Sequence, residues 1–179
     1  MNNLKKLITI LSIVCIASYS SAQTEKDKEI IKDAEVAKET LLKTTPELKN
    51  FFDKAAGYVI FPNVGKGGFI VGGASGNGVL YKQGGMELGM ASLKKVNIGL
   101  QAGGEAIIEV IFFETNTELE EFQKGKFKFD AGASATAIKS GESFNAKYSE
   151  GVAVFTQTKG GLMADASVGG QKFKYTPFK

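Results

Sequence analysis

Two short segments near the C-terminus alternate lysine with small or aromatic residues. The first carries Lys124, Lys126 and Lys128, and the second carries Lys172 and Lys174. Because successive side chains of a strand point to opposite faces, each segment would present its lysines on one face if it formed a strand. If the two strands were neighbours, these ammonium groups would form a rigid basic strip that suits an anionic surface. The alternative is an ordinary solvated sheet face, on which lysines prevent edge-to-edge pairing.

Conventional catalytic groups are scarce in this chain. It contains no His and no Trp, and its one Cys lies in the N-terminal apolar run. Once that run is removed, Ser-His and Cys-His catalysis and thiolate or imidazole zinc sites are excluded. Glu105 and Glu109 would share a face of a predicted strand, but paired carboxylates catalyse hydrolysis only where their environment separates their pKa values. Solvated carboxylates are favoured, and we predict no enzyme activity, no metal and no cofactor.

The first residues have the layout of a secretory signal peptide. Two lysines precede an apolar run over residues 7–17, and the small residues Ser20 and Ala22 predict cleavage before Gln23. Cys15 raises an alternative, because lipoproteins carry a lipidated Cys at their cleavage point. The residue before Cys15 is a valine, where a small residue would be wanted. Cleavage before Gln23 is therefore favoured over lipidation.

Removal of residues 1–22 would leave residues 23–179, enough for a single domain with a substantial core. Of the 22 basic residues, all of them lysine, 20 would remain against 19 acidic ones, a net charge of +1. This charge predicts no long-range attraction to nucleic acid, so any anion binding must come from local patches. No later segment reaches the ~18 apolar residues of a transmembrane helix. The expected product is soluble, exported and periplasmic or envelope-associated.

The segment 25–43 has the periodicity of an amphipathic helix, with Ile30, Ala34, Ala37 and Leu41 on one face. A membrane-surface helix would place bulky apolar residues opposite basic ones. This face includes two alanines, and the segment has five lysines against six acidic residues. Packing against a sheet is therefore favoured. Direct membrane contact is the alternative, and its candidate residues are Lys26, Lys28, Ile30, Ile31 and Lys32.

A second helix is predicted around residues 46–55, and β-type patterning follows it. Strands are predicted near residues 58–61, 68–74, 78–82, 86–95, 98–103, 106–114, 126–133, 146–158, 162–168 and 171–175. The dipeptides Asn77-Gly78 and Gly84-Gly85 predict turns between strands.

A short helix is predicted over residues 115–124, because Thr115 and Glu118 have the spacing of a capping box. Glycine is concentrated in residues 57–104, where it is interleaved with Val, Ile and Phe. Glycine within strands is typical of bends and of close backbone approach. The predicted fold is therefore α+β, with N-terminal helices packed on a strongly curved, mostly antiparallel sheet or partial barrel.

Several motifs in this order extend over most of the chain after residue 22. They are the segments 56–62 (AGYVIFP), 65–69 (GKGGF), 72–73 (GG), 76–78 (GNG), 98–104 (IGLQAGG), 111–113 (IFF) and 151–155 (GVAVF). This arrangement resembles the SYLF lipid-binding domain family, whose eukaryotic members include actin-regulatory endocytic proteins.

The resemblance implies non-catalytic, peripheral binding of anionic phospholipids or phosphoinositide-like headgroups at the bacterial envelope. The alternative is a structural or protein-interaction module of the periplasm or envelope, with an unknown protein partner.

Overall fold

The computed structural model describes residues 24–65, 73–96, 107–126, 147–158, 161–164 and 171–178. The helices in these ranges are α1 (Glu25–Thr44), α2 (Lys49–Lys54) and α3 (Asn116–Gln123), and a 3₁₀ turn at Pro46–Leu48 leads into α2. The strands are β1 (Gly57–Val64), β2 (Gly73–Lys82), β3 (Glu87–Val96), β4 (Ile107–Phe113), β5 (Val152–Thr158), β6 (Gly161–Ala164) and β7 (Gln171–Pro177).

The seven strands form one sheet in the order β6-β5-β4-β1-β2-β3-β7. Every neighbouring pair is antiparallel. Within the described ranges β6 and β7 are the two ends of the sheet, and no pairing between them closes it into a barrel. The predicted α+β class is confirmed: helices precede and pack on an antiparallel sheet.

Helix α1 covers one face of the sheet, which we call the outer face. A capping box at its start pairs Thr24 with Asp27, and its apolar stripe buries Ala34, Ala37 and Leu41. The predicted stripe is thus confirmed, because this periodicity places these side chains on one side of the helix. No helix within the described ranges has both the length and the apolar character needed to cross a bilayer.

Aromatic side chains fill the space between the outer face and the helices. Phe51 and Phe52 of α2 pack on Phe112 of β4 and on Tyr58 and Phe155, with ring centroids 4.8–5.3 Å apart. Edge-to-face and tilted pairs of this kind add about 0.5–1.5 kcal/mol each beyond the area they bury. The short α2 is therefore fixed by packing, since a six-residue helix has little stability of its own.

The opposite face of the sheet, which we call the inner face, is also buried. Leu119 and Phe122 of α3 pack there with Phe61 and Phe113. Phe173 of β7 lies 6.1 Å from Phe61 between ring centroids. In the sheet order β7 is three strands from β1, a separation of about 14 Å in a flat sheet. The sheet therefore curls strongly around its inner face, as predicted.

Residues 77 and 78 do not form the predicted turn. Asn77 and Gly78 lie inside β2, where they pair with Ser92 and Ala91 of β3. A Cβ at Gly78 would collide with the Ile60 carbonyl oxygen. Glycine is needed there because the curled sheet leaves no room on its inner face. The turn predicted at Gly84-Gly85 is confirmed, with φ of 85° and 90°.

Candidate functional site

Strand β7, at one end of the described sheet, carries two of the predicted basic residues in regular alternation. Lys172 and Lys174 are exposed, while Phe173 and Tyr175 are half-buried on the inner face. The alternation predicted for residues 171–175 is confirmed, and the strand continues to Pro177. The two lysines therefore lie on the outer face, outside the apolar part of that face that α1 and α2 cover.

A third lysine, Lys94 of β3, joins this pair. Lys94 lies directly opposite Lys172 in the β3–β7 register, and Ser92 lies opposite Lys174. Residues directly opposite in an antiparallel pair share a face, with Cβ atoms about 4.5–5.5 Å apart. We call Lys94, Lys172 and Lys174 the basic row. The sequence showed Lys94 only as part of a predicted strand, because its partner strand is distant in the chain.

The basic row carries uncompensated positive charge. All three lysines are exposed, and none forms an ion pair with another described residue. Like charges directly opposite on neighbouring strands are destabilising. An anion placed between Lys94 and Lys172 would remove that repulsion.

Lys124 and Lys126 do not belong to a strand. Gly125, with φ of 66°, ends α3, and the Lys126 N–H donates to the Glu121 carbonyl over 3.0 Å. This hydrogen bond is the 6→1 bond of a Schellman motif, which joins the second residue after the helix cap to the last turn. Lys126 therefore closes the last turn of the helix, and the predicted strand does not begin there. The rest of that strand, including Lys128, lies outside the described residues.

The two predicted lysine segments are not neighbours in the described part of the sheet. The neighbour of β7 is β3, and α3 packs on the inner face, opposite to the face that carries Lys172 and Lys174. Lys124 is also paired with Glu120 over 2.8 Å. Within the described residues, the exposed lysines that lie opposite each other therefore belong to β3 and β7, and the proposed juxtaposition of the two lysine segments is not seen there.

The N-terminal candidates divide into exposed lysines and packed isoleucines. Lys26, Lys28 and Lys32 are exposed, and Lys28 pairs with Glu25 over 2.7 Å. Ile30 and Ile31 are partly buried against the outer-face core. These two side chains have little apolar surface left for a bilayer, which agrees with the predicted packing of this helix on the sheet.

The predicted solvated carboxylates include one clear exception. Glu109 on β4 is fully buried on the inner face, opposite the buried Thr156 of β5. Its predicted partner on the same face, Glu105, lies outside the described residues. Glu118 is used in the capping box of α3, where its carboxylate accepts bonds from the Thr115 N–H and hydroxyl. No cluster of three metal-ligating side chains occurs within the described ranges.

A second surface feature was not predicted from the sequence. A cleft of about 710 Å³ lies between α2 and the segment that leads into β5. Phe51 and Tyr148 form its aromatic wall, with ring centroids 5.2 Å apart. Burial, and then the nearby charge of Glu114, raises the pKa of Tyr148 to about 12.

Comparison with known proteins agrees with the glycine-rich motifs. Residues 94–176, from the end of β3 to β7, match the family model described as "Ysc84: Las17-binding protein actin regulator". The chain is also 29% identical over 153 residues to Beta cell expansion factor A of Aeromonas veronii. That alignment covers 79% of this chain and 57% of the relative, so the chain spans less than two thirds of the relative's length. The matched segment 94–176 includes the basic row, and over it the chain is similar to the Ysc84 (SYLF) family.

Proposed function

We propose that this protein is a non-catalytic module that binds anionic phospholipid headgroups peripherally at the bacterial envelope, through the basic row. The observation that carries this proposal is the direct opposition of Lys94 and Lys172 on the exposed part of a rigid sheet. Each lysine near an anionic membrane contributes about 1 kcal/mol. Three lysines held in one row would give weak binding that depends on lipid charge.

The family supports a lipid-binding or interaction module. Lysine ammonium groups meet phosphate as point charges and are not restricted to one bidentate geometry. This chemistry fits headgroups that differ in shape but share a phosphate. It also agrees with the low net charge expected after cleavage, because attraction must then be local.

The alternative function is protein interaction at the envelope. The family description names a protein partner, Las17, and strand β7 is an edge strand within the described sheet. An edge strand has free backbone donors and acceptors that can pair with another chain. Binding through the backbone of β7 would not depend on lipid charge.

Vesicle co-sedimentation separates these two functions. The protein is mixed with phosphatidylcholine vesicles, or with vesicles that also contain phosphatidylglycerol, at low and at physiological salt. We expect binding only to the anionic vesicles, and weaker binding at physiological salt, where the Debye length is about 8 Å. Equal binding to both vesicle types at both salt concentrations would contradict the electrostatic mechanism.

Three matched variants locate the binding surface. Each reverses three lysines and thus changes the net charge equally: Lys94, Lys172 and Lys174 in the first, Lys26, Lys28 and Lys32 in the second, and Lys124, Lys126 and Lys128 in the third, all to Glu. We expect the first variant to lose most of its binding and the other two to keep it. Loss in the second variant with retention in the first would identify α1 as the membrane-binding surface instead.

A further inference from the structure

The side of α1 that faces away from the sheet carries an ordered pattern of charge. The opposite side of the helix buries Ala34, Ala37 and Leu41 on the outer face of the sheet. Because residues three and four apart are neighbours on a helix surface, a series with alternating steps of three and four runs along one side. Such a series lies on the exposed side of α1. We call it the charged face, and its residues are Glu29, Lys32, Val36, Glu39 and Lys43.

The charged residues of this face are not neutralised by their own chain. All residues of the charged face are exposed, and Val36, near its middle, is 55% exposed. Elsewhere on the helices neighbouring charges do pair, as Lys28 does with Glu25 and Lys49 with Asp53. The two glutamates and two lysines of the charged face form no ion pair with another described residue. Their charges can therefore meet those of another molecule.

The order of these charges is complementary to itself in one orientation. Along the helix the face reads acidic, basic, valine, acidic, basic. In an antiparallel pair of α1 helices centred on Val36, Glu29 of each copy faces Lys43 of the other. In the same pair Lys32 of each copy lies within one position of Glu39 of the other. A parallel pair in register would place every charge against its own like charge. Charges beside a helix–helix contact set partner choice and orientation, so the pattern selects the antiparallel pair.

The antiparallel arrangement also closes by symmetry. Two identical helices that run antiparallel are related by a two-fold axis, and each contact is then made twice. Two different pairings therefore give four ion pairs, arranged around the contact between the two valines. Each chain contributes a single apolar residue at the centre, and exposed ion pairs are individually weak. We therefore expect a weak dimer that forms at high micromolar to millimolar protein.

We propose that the charged face of α1 is a self-association surface, on which a second copy of this chain binds through its own α1 in the antiparallel orientation. Opposite charges supply the orientation, and Val36 lies at the two-fold axis. This surface is separate from the basic row, because the lysines of the basic row belong to β3 and β7. The proposal does not depend on lipid binding.

Two matched variants test this arrangement by sedimentation equilibrium. Each exchanges one glutamate with one lysine, so the composition and net charge of the wild type are kept. Glu29→Lys with Lys43→Glu exchanges two residues that face each other in the dimer, so opposite charges still meet. Glu29→Lys with Lys32→Glu exchanges two neighbours on one helix, so all four pairs become pairs of like charge.

We expect the wild type and the Glu29/Lys43 exchange to dimerise with similar constants at low salt, and more weakly at physiological salt. We expect the Glu29/Lys32 exchange to dimerise at least about tenfold more weakly. Val36→Lys should also weaken the dimer, because it places two ammonium groups at the axis. Circular dichroism and thermal unfolding check that each variant is folded.

Three results would overturn the proposal. The first is a wild type that stays monomeric at millimolar protein and low salt, which would leave the charged face to solvent or to another partner. The second is an equal effect of both exchanges on the dimer. The third is a dimer that the Glu29/Lys32 exchange does not weaken, because its contact would then lie on another surface.

Discussion

Tyr58 and Tyr81 are stacked neighbours on the outer face whose hydroxyl groups have different surroundings. Their ring centroids are 5.1 Å apart. The Tyr58 hydroxyl accepts a hydrogen bond from Lys38 Nζ over 2.9 Å, and the same ammonium lies 4.9 Å from the Phe52 ring centroid. The Tyr81 hydroxyl is buried and has no hydrogen-bond partner within the described part of the chain. Burial, followed by the charge of Glu87, raises the pKa of Tyr81 far above its usual range.

Removing these two hydroxyl groups should have different effects on stability. Tyr58→Phe should destabilise the fold by roughly 1.5–3 kcal/mol, because it removes a hydrogen bond from a charged donor that is half-buried. Tyr81→Phe should be neutral or slightly stabilising, because it removes a buried polar group that has no partner among these residues. Urea unfolding measures both changes in the free energy of unfolding. Equal losses in the two variants would show that Tyr81 has a partner in solution.

At the scale of single elements, the start of α3 depends on the ionised form of Glu118. Burial alone would raise the pKa of Glu118, but hydrogen bonds from the Thr115 side chain and from the backbone of residues 118 and 115 outweigh it and lower that pKa. The folded value thus lies below the unfolded value of 4.5. The contribution of this shift to the free energy of unfolding is fully present when the pH is above the pKa of Glu118 in the unfolded chain. It is lost as the pH falls through the lower pKa of Glu118 in the folded protein.

Glu118→Gln isolates this contribution, because Gln can still accept the capping hydrogen bonds but does not ionise. At neutral pH we expect the wild type to be more stable by a few tenths of a kcal/mol to about 1 kcal/mol. This difference should disappear as the pH falls through about 5 to 3. The measurement is the urea midpoint of both proteins as a function of pH. A difference that stays constant over that range would rule out the ionised carboxylate as its cause.

Strand β2 provides a test of the curled sheet. Gly78→Ala places a Cβ against the Ile60 backbone and the Phe61 ring, and we expect a loss of more than about 2 kcal/mol, because neither can move without disturbing β1. Asn77→Ala changes the exposed neighbouring position on the opposite face, and we expect a change within about 0.5 kcal/mol. Chemical denaturation compares the two. A mild effect of Gly78→Ala would show that the two strands can separate at low cost.

These elements show which features the sequence could predict. The helices were predicted closely, because the capping box of Thr115 and Glu118 and the stripe of α1 are local signals. The Asn77-Gly78 dipeptide was misassigned, since the same residues fit a hairpin turn or a paired strand, and tertiary packing decides. Lys94 was missed for a related reason. Its position opposite Lys172 depends on the pairing of two strands that are far apart in the chain.

At the scale of the whole molecule, we predict a product that begins at Gln23. Cleavage after Ala22 would leave α1 a short distance from the new N-terminus, since its capping residue is Thr24. Intact-mass analysis of the protein isolated from its native cells measures the start of the chain directly. A product that begins at Cys15 and carries acyl groups would instead identify a lipoprotein, with a covalent anchor that adds to the weak membrane attraction proposed for the basic row.

The order of the strands also determines when the sheet can be completed as the chain emerges. Strand β3 pairs on one side with β2, which immediately precedes it, but its other partner is β7. Gln171 lies 75 positions after Val96, so for a time the emerging chain contains β3 without β7. During that time one edge of β3 has free backbone donors and acceptors, and Lys94 supplies a charge there that disfavours pairing with another chain. The lysine proposed to contact lipid in the folded protein would thus also protect the unfinished one from aggregation.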